Sequence, residues 1–470
     1  MKIPLLIAFF LLAATSAQGQ YQHLTITADS LVPALAPLCE YLEDHAGLED
    51  TVVTVAQVLS TASGRDEQEK VRNFIKQAYT DWGVTHVLLA ADNDQIPCRV
   101  CWVEVSPDYR DWIATEMYYS ALDGDWDADG DSRFGEAEDS VDLMPDVLLG
   151  RLPLATPAEM SAFVDRFMIY VSDSTARYLE DVLLAGFDYS ASFKGEYSCE
   201  IYDTLLRPAT MRAWKVYDSH YPHNHEDSVK TLLDRGMHVW VQYDHCNYNV
   251  MGCGYTNHNY LLWTWELDDM ANAPNYTIGF AAGCYPSAFD SSYCVAEVLL
   301  TAPNGGCVAF CGNTRIGFGV NPDPYRSGSH YYCEKVLEGM WQGPGHGTFG
   351  GLAAGQTQAA PLAASSVVWR WCHYEFLLSG EPGMPVWVPE GSGVADERTR
   401  PQRQRTSQTV MRGVLVLEAA GVGEGGARLV DAAGRVVTDL LPGENDIRSI
   451  APGVYFVRGE GPGSRIVIAD

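Results

Sequence analysis

Two apolar runs in the sequence each end in a residue that can take part in nucleophilic chemistry. The run 278–282 has strand character and breaks at Gly283, and the next side chain is the thiol of Cys284. The run 237–243 breaks in the same way, shortly before the imidazole of His245. In open α/β sheets the carboxyl ends of the strands form the edge where ligands bind, so we expect the thiol and the imidazole to meet there. A thiol nucleophile needs such a base close to it in space.

Two further residues are relevant to this pair, one as an alternative nucleophile and one as a candidate third catalytic residue. Cys246 is the alternative nucleophile, but it follows His245 directly and is too close along the chain to face the imidazole well. Most cysteines in a chain are inert, so the residues alone favour Cys284 only narrowly. Asp188 follows the apolar run 182–185 and can hold the imidazole in place. Acids at strand ends often have only a structural role, and both interpretations of Asp188 stay open.

An acidic loop between residues 123 and 136 has the spacing of a calcium-binding loop. Counted from Asp125, aspartates occupy the first, third and fifth positions, a glycine the sixth and a glutamate the twelfth. The predicted ligands are the carboxylates of Asp125, Asp127, Asp129 and Glu136 and the backbone carbonyl of Asp131. Carboxylates this close together repel one another unless a cation neutralises them. We therefore expect one structural Ca²⁺, with a solvated acidic loop as the alternative.

Strands and helices alternate up to about residue 390, which predicts a doubly wound, mostly parallel α/β sheet as the scaffold for these side chains. The predicted strands are 23–30, 51–56, 84–91, 179–188, 211–216, 237–243, 278–282 and 306–311. The predicted helices are 31–46, 64–79, 157–171, 197–206, 225–235, 294–300, 329–340 and 362–379.

The composition indicates an exported, acidic protein. Residues 1–19 have a cationic start, a short apolar core and a small-residue end, which is typical of a secretory signal peptide and too short for a membrane span. A net charge of −30 over 470 residues argues against nucleic acid and anionic membranes as partners. Among the 12 cysteines, Cys98 with Cys101 and Cys246 with Cys253 are candidates for disulfides, although pairing cannot be derived from sequence.

The sequence changes character after residue 389. Residues 390–409 are polar and rich in breakers of regular structure, which is typical of a linker. Short strands separated by glycine turns predict a small all-β sandwich over 410–470. These strands are 414–418, 427–430, 435–440, 453–458 and 465–468. On composition alone, a carbohydrate-binding or spacer module fits this region.

Three segments carry a resemblance to a known family. The segment 283–289, the pair Ala296-Glu297 and the run 303–313 resemble the nucleophile region of gingipain-type cysteine peptidases. The resemblance extends over most of residues 22–389. It implies a caspase-like fold in two subdomains, at about 20–175 and 176–389, and the activity of a cysteine endopeptidase on protein or peptide substrates.

The resemblance also implies a role for each candidate residue. Cys284 is then the nucleophile, His245 its general base and Asp188 the acid that orients the imidazole. The backbone N–H groups of Cys284 and Cys246 are expected to form the oxyanion hole. This sequence departs from the family at His245, because the family usually has glycines where Asp244 and Cys246 stand.

The C-terminal region carries a second resemblance. The segments 431–435 and 453–457 resemble the sorting domain of type IX secretion cargo, which implies the secretion machinery as a partner and a place on a bacterial cell surface. A catalytically inactive, calcium-stabilised adhesion protein on a peptidase fold is the alternative function, and a sortase-like relative is another. Cleavage after a basic residue needs an acid in the substrate pocket, for which Glu196 and Glu200 are candidates.

Overall fold

A computed structural model of the chain describes residues 21–139, 141–220, 223–254, 260–291, 293–342 and 347–388, with short stretches between 409 and 468. The chain divides into two compact units, 1–393 and 394–470. The predicted signal peptide, and all of the predicted linker except its last residue, lie outside the described residues. Among the described residues, no helix has the length and apolar content needed to span a membrane.

Ten strands form the central sheet of the first unit. They are β1 (His23–Thr27), β2 (Asp50–Thr54), β3 (His86–Ala90), β6 (Leu148–Arg151), β7 (Asp181–Gly186), β8 (Arg212–Tyr217), β9 (Val239–Tyr243), β13 (Thr277–Ala281), β14 (Cys307–Asn313) and β15 (Phe376–Ser379). Their order is β2-β1-β3-β6-β15-β14-β13-β9-β7-β8. Every pair is parallel except β14 with β15. The prediction of a mostly parallel sheet is confirmed.

The sheet consists of two parallel halves that run in opposite directions, because β15 is parallel to β6 and antiparallel to β14. One half contains the strands before residue 175 together with β15, and the other contains β7, β8, β9, β13 and β14. Strands β7, β9, β13 and β14 are buried along their whole length, as expected for parallel strands covered on both faces.

Helices connect most of these strands. They are α1 (Val32–Tyr41), α2 (Val55–Thr61), α3 (Glu67–Trp82), α4 (Met117–Ser120), α5 (Pro157–Ser172), α6 (Gly195–Leu205), α7 (His225–Arg235), α8 (Thr264–Asp268), α9 (Val295–Thr301), α10 (Ser329–Trp341), α11 (Gly351–Ser365) and α12 (Val367–Glu375). Local sequence signals set both ends of α3. Asp66 caps its start, and Gly83 ends it with a left-handed backbone.

The prediction of a single helix over 362–379 is wrong. Its residues belong to the end of α11, to α12 and to β15. Ser366 has an extended backbone that separates the two helices. The apolar run of β15 is compatible with either structure, and its pairing with β14 and β6 makes it a strand.

Two small sheets beside the main one were not predicted. A hairpin consists of β4 (Arg99–Ser106) and β5 (Tyr109–Thr115), and a three-stranded sheet consists of β10 (Cys246–Asn247), β11 (Val250–Gly252) and β12 (Leu261–Trp263). The strands of the second sheet are two or three residues long, too short for a periodic pattern to indicate them.

In the described stretches of the second unit, all the regular structure is β, as predicted. Its strands are β16 (Thr409–Met411), β17 (Val414–Leu417), β18 (Ala427–Asp431), β19 (Val436–Leu440), β20 (Gly443–Asp446), β21 (Gly453–Arg458) and β22 (Ser464–Ile468). Five form one sheet in the order β16-β22-β21-β18-β19, and β17 pairs with β20. Strands β16 and β20 were not among the predicted strands.

A buried histidine joins the two ends of the first unit. His23 in β1 is fully buried, with its Nδ1 2.7 Å from an Asp50 oxygen and its Nε2 2.9 Å from a Glu381 oxygen. Because carboxylates flank both ring nitrogens, the imidazole is held as a cation. Burial by itself lowers the pKa of His23, but the charges and hydrogen bonds of Glu381 and Asp50 outweigh it and raise the pKa to about 10.

Candidate active site

The register of the sheet places the three predicted catalytic residues at one edge. Ala185, Gln242 and Ala281 are paired across β7, β9 and β13. Asp188, His245 and Cys284 each follow their member of this row by three residues. Because the three strands are parallel and adjacent, all three residues leave the sheet at the carboxyl edge of this half.

The segments that carry the thiol and the imidazole are in direct contact. A Cβ atom added to Gly283 would lie 2.5 Å from the Asp244 carbonyl oxygen and 2.5 Å from the Cys246 Sγ atom. Both separations are far below van der Waals contact, so only glycine fits between the end of β13 and the residues around His245. The structure therefore brings into contact the two turns that carry Cys284 and His245, and their roles as nucleophile and base stay predictions.

Cys284 lies in a tightly held turn. The backbone N–H of Gly317 is hydrogen-bonded to its thiol, and the N–H of Tyr285 donates to the Arg315 carbonyl at 2.8 Å. Tyr285 has a φ of 63°, which is unusual for a residue other than glycine. Non-glycine residues with this backbone store strain of about 1–3 kcal/mol and occur preferentially at functional sites. The side chain of Asn313 also supports the turn through the Gly283 carbonyl, at 2.9 Å.

The imidazole of His245 is oriented by a backbone group. Its Nε2 atom lies 2.9 Å from the Tyr189 carbonyl oxygen, and the Tyr189 ring packs edge-on against it at 5.3 Å between centroids. A carbonyl only accepts hydrogen bonds, so Nε2 must carry the proton in the neutral ring. Nδ1 is then the ring nitrogen that can accept a proton.

Asp188 is buried next to Tyr189 and forms an ion pair with Lys194. Its carboxylate accepts from Lys194 Nζ at 2.5 Å, and its N–H donates to Asp218 Oδ2 at 2.7 Å. One group that contacts His245 is the backbone carbonyl of the following residue, Tyr189. The role of Asp188 in orienting the imidazole stays a prediction. Sequence reasoning missed Tyr189, because a backbone carbonyl has no side-chain signature.

The model of Peptidase family C25 matches residues 16–387. The chain belongs to this family. Its fold is also similar to the Arg-specific cysteine proteinase gingipain R, with a TM-score of 0.59 at 17% identity over 96% of this chain and 98% of that one. A complex of gingipain pro- and mature domains from Porphyromonas gingivalis matches with a TM-score of 0.58 at 16% identity, over 95% of this chain and 100% of that one. No curated protein sequence matches the chain.

A third solved structure, described only as a protease, matches with a TM-score of 0.58 at 15% identity over 97% of this chain and 98% of that one. At these identities the matches show the fold alone. They confirm the predicted caspase-like α/β architecture, and the family match carries the assignment to a group of peptidases.

In this C25 peptidase, Asp244 precedes the histidine. Its buried carboxylate accepts from the N–H groups of His245 at 2.6 Å and Gly254 at 2.9 Å. Burial raises the pKa of Asp244 to about 7, although these two hydrogen bonds lower it. A Cβ on Gly252 would lie 2.5 Å from the same carboxylate, so Asp244 fills a closed space and holds the histidine turn in place.

The thiols of the chain differ in their exposure. All twelve cysteines are free thiols, so neither of the two candidate pairs forms a disulfide. Burial raises the pKa of Cys284 to about 11, and that of Cys307 and Cys333 to about 12. Burial raises the pKa of Cys246 well above its usual value, and its thiol donates to the Asp244 carbonyl oxygen at 3.6 Å from Sγ. Cys284 is therefore the more readily ionised of the two candidate nucleophiles.

The acidic loop brings some of its predicted ligands together. Oxygen atoms of Asp127, Asp129 and Asp131 lie within 4.8 Å of one another. Arg65, which the sequence did not indicate, donates to Asp125 Oδ1 at 2.8 Å and to Asp127 Oδ2 at 3.3 Å. The carboxylates of Asp125 and Glu136 are outside that group of three. Part of the repulsion predicted for the loop is therefore relieved by Arg65.

The loop is also held by an acid that the calcium-loop spacing did not include. The buried carboxylate of Asp139 accepts from the N–H groups of Ala128 at 2.7 Å, Gly135 at 2.9 Å and Glu136 at 3.2 Å. A ring of backbone donors around one carboxylate fixes the path of the loop, whether or not a cation is bound.

Proposed function

We propose that the protein is a secreted cysteine endopeptidase that uses Cys284 as nucleophile and His245 as general base. The observation that supports this best is the contact between the Cys284 and His245 turns at one sheet edge, with the imidazole oriented by the Tyr189 carbonyl. Membership of a peptidase family supports the reaction class.

The thiol of Cys284 must lose its proton during the reaction. Because its pKa is about 11, the Cys284 thiol is mostly protonated at neutral pH. Its proton therefore passes to His245 Nδ1 as the sulfur attacks the peptide carbonyl. The imidazolium then donates that proton to the departing amine, which leaves an acyl group on sulfur. Water attacks this thioester with His245 again as base, releasing the carboxylic acid and restoring the thiol.

The negative charge on the carbonyl oxygen needs hydrogen-bond donors. The N–H groups of Cys284 and Cys246 are the proposed oxyanion hole, because these two residues lie on the two turns that are in contact. Each donor of this kind contributes about 3 kcal/mol in a transition state. Asp188 is proposed to help orient the His245 imidazole, since it directly precedes Tyr189, whose carbonyl lies against the ring.

A peptidyl acyloxymethyl ketone tests this proposal on the full chain. We expect stoichiometric labelling of Cys284, identified by peptide mass spectrometry, because a nucleophilic thiol displaces the acyloxy group of this probe. Prior alkylation with iodoacetamide should prevent the labelling. A protein that folds but shows neither labelling nor cleavage of any peptide is the alternative, an inactive adhesion protein on a peptidase fold.

We also propose that the acidic loop binds one structural Ca²⁺ through Asp125, Asp127, Asp129, Asp131 and Glu136. Binding to the folded state alone adds about 2.7 kcal/mol at a hundredfold excess over the dissociation constant. We expect a chelator to lower the melting temperature and to increase proteolytic nicking near residues 120–140, with Mg²⁺ restoring both poorly.

Two variants make the calcium experiment specific. Asp129→Asn should abolish the calorimetric signal of Ca²⁺ binding, whereas Glu138→Gln changes an exposed neighbouring acid and should leave it intact. If chelator changes neither melting nor nicking, and calorimetry detects no binding, the loop is merely solvated.

The C-terminal unit is proposed to be a type IX sorting domain that directs the protein to the bacterial surface. The division of the chain into two compact units supports its separation from catalysis. We expect a chain that ends at residue 390 to keep its peptidase activity and to be absent from the cell surface of its host. Detection of this truncated chain at the surface in normal amounts contradicts the sorting role.

A further inference from the structure

The walls beside the candidate thiol and imidazole are aromatic. Tyr189, which orients His245, stacks on Phe193 at 4.8 Å between ring centroids. Phe193 in turn packs against Tyr325 at 5.1 Å, and Tyr325 against Tyr197 at 5.4 Å. Phe193 and Tyr325 are half-buried, and Tyr197 is 48% exposed. An apolar surface that remains accessible therefore begins at the imidazole.

A single loop connects this surface to the thiol. It leaves β14 and carries Gly317, whose N–H contacts the Cys284 thiol, then Phe318 and later Tyr325. Phe318 packs against Tyr109, which is 47% exposed, at 5.7 Å. The hydroxyl of Tyr325 donates to the Ser192 carbonyl at 3.3 Å, which ties the loop to the segment before α6. Aromatic rings thus flank the site on the cysteine side and on the histidine side.

The two acids that the sequence suggested for basic specificity, Glu196 and Glu200, and the neighbouring Asp188 have hydrogen-bond partners in the structure. Glu200 accepts from Lys215 at 2.7 Å. Asp188 accepts from Lys194, which is 32% exposed and places a positive charge at this edge of the sheet. Glu196 accepts from the Ser219 hydroxyl at 2.6 Å and adds to the field that raises the pKa of Lys194. Glu200 is therefore neutralised by Lys215, and the charge of Glu196 is partly balanced by the nearby Lys194.

We propose that this peptidase cleaves after apolar residues, preferably aromatic ones, whose side chains pack against Phe193 and Tyr325. This inference rests on the proposed peptidase function and names the residue on the acyl side of the scissile bond, here called the acyl-side residue. When the Cys284 thiol attacks the carbonyl of that residue, the first atom of its side chain is only two bonds from the reacting carbon. It must therefore lie against the walls beside the thiol and the imidazole.

The test uses the full chain and peptides that differ only in the acyl-side residue. We expect kcat/KM for Phe and Leu to exceed that for Arg and Lys by about tenfold or more, the range over which a pocket discriminates through apolar contact. Inhibition by chloromethyl ketones with Phe or Arg at this position should show the same order, without any change to the protein. A preference for Arg or Lys overturns the inference and leaves the peptidase function standing.

Variants of the wall provide a second readout. Phe193→Ala should lower the ratio of kcat/KM for acyl-side Phe to kcat/KM for acyl-side Ala about tenfold, because any effect on the imidazole is common to both substrates. Phe193→Leu should retain most of the preference, and Tyr79→Ala, which truncates an exposed aromatic on α3, is the matched control. If labelling of Cys284 by the chloromethyl ketone shows the variant folded and the Phe-to-Ala ratio is unchanged, Phe193 does not form the pocket. Absence of cleavage and labelling in the native protein overturns the peptidase proposal itself.

Discussion

Replacing Cys284 with alanine is expected to abolish peptide hydrolysis while the melting temperature stays close to that of the native protein. Without the thiol no acyl-enzyme can form, and loss of a nucleophile of this type typically reduces kcat by 10⁴-fold or more, about 10⁶-fold in well-studied cases. The side chain is small and only partly buried, so its truncation should cost little stability. Steady-state kinetics on a fluorogenic peptide and a thermal melt measure the two quantities.

Cys246→Ala is the matched control for this variant. It removes the neighbouring thiol but keeps the backbone N–H proposed for the oxyanion hole, so we expect a substantial part of the activity to remain. His245→Ala should be nearly inactive and should lose the acidic limb of the pH–rate profile, because the base and the acid for the leaving amine are both removed. Full activity of Cys284→Ala, or inactivity of Cys246→Ala alone, would reverse the assignment of the nucleophile.

The largest expected effect on stability comes from His23, far from the candidate active site. His23→Gln removes the cation between two carboxylates that remain buried, Asp50 and Glu381. Removing one partner of a buried ion pair typically costs about 3–5 kcal/mol. Denaturant unfolding at pH 6 followed by tryptophan fluorescence measures this loss, and Tyr79→Ala serves as a surface control.

The His23 cluster also predicts a pH dependence with a definite sign. The pKa of His23 is about 10 in the folded protein and about 6.5 in an unfolded chain. Its contribution to stability is therefore complete below about pH 6.5 and is lost as the pH rises through 10, at up to about 1.4 kcal/mol per pH unit. The native protein should lose stability between pH 7 and pH 10, and His23→Gln should lose less. Parallel curves for the two proteins would show that His23 is not held as a cation.

Much of the scaffold could be predicted from local patterns in the sequence. Apolar runs that are followed by glycine or an acid correspond to β7, β9 and β13, which were each placed within two residues of their observed starts and ends. The positions of Cys284 and His245 just beyond two such runs were enough to predict that they lie at one sheet edge. These features depend on periodicity and turn chemistry, which operate over a few residues.

Other decisions required the packed structure. The run 376–379 is apolar enough for a helix and becomes β15 only because β14 and β6 are there to pair with it. The Arg65 contacts with the acidic loop join residues about sixty positions apart, and the contact between His23 and Glu381 spans 358 positions. No short-range pattern encodes such separations.

At the candidate active site the sequence by itself determined which residues are present and which edge they reach. Only the tertiary structure decided their partners: the Tyr189 carbonyl on His245, Lys194 on Asp188, and Gly283 as the one residue thin enough for the two turns to touch. A backbone carbonyl is the same in every residue, and a carboxylate binds whichever cation lies nearest. The roles of such groups follow from distances in space, which the order of residues along the chain does not contain.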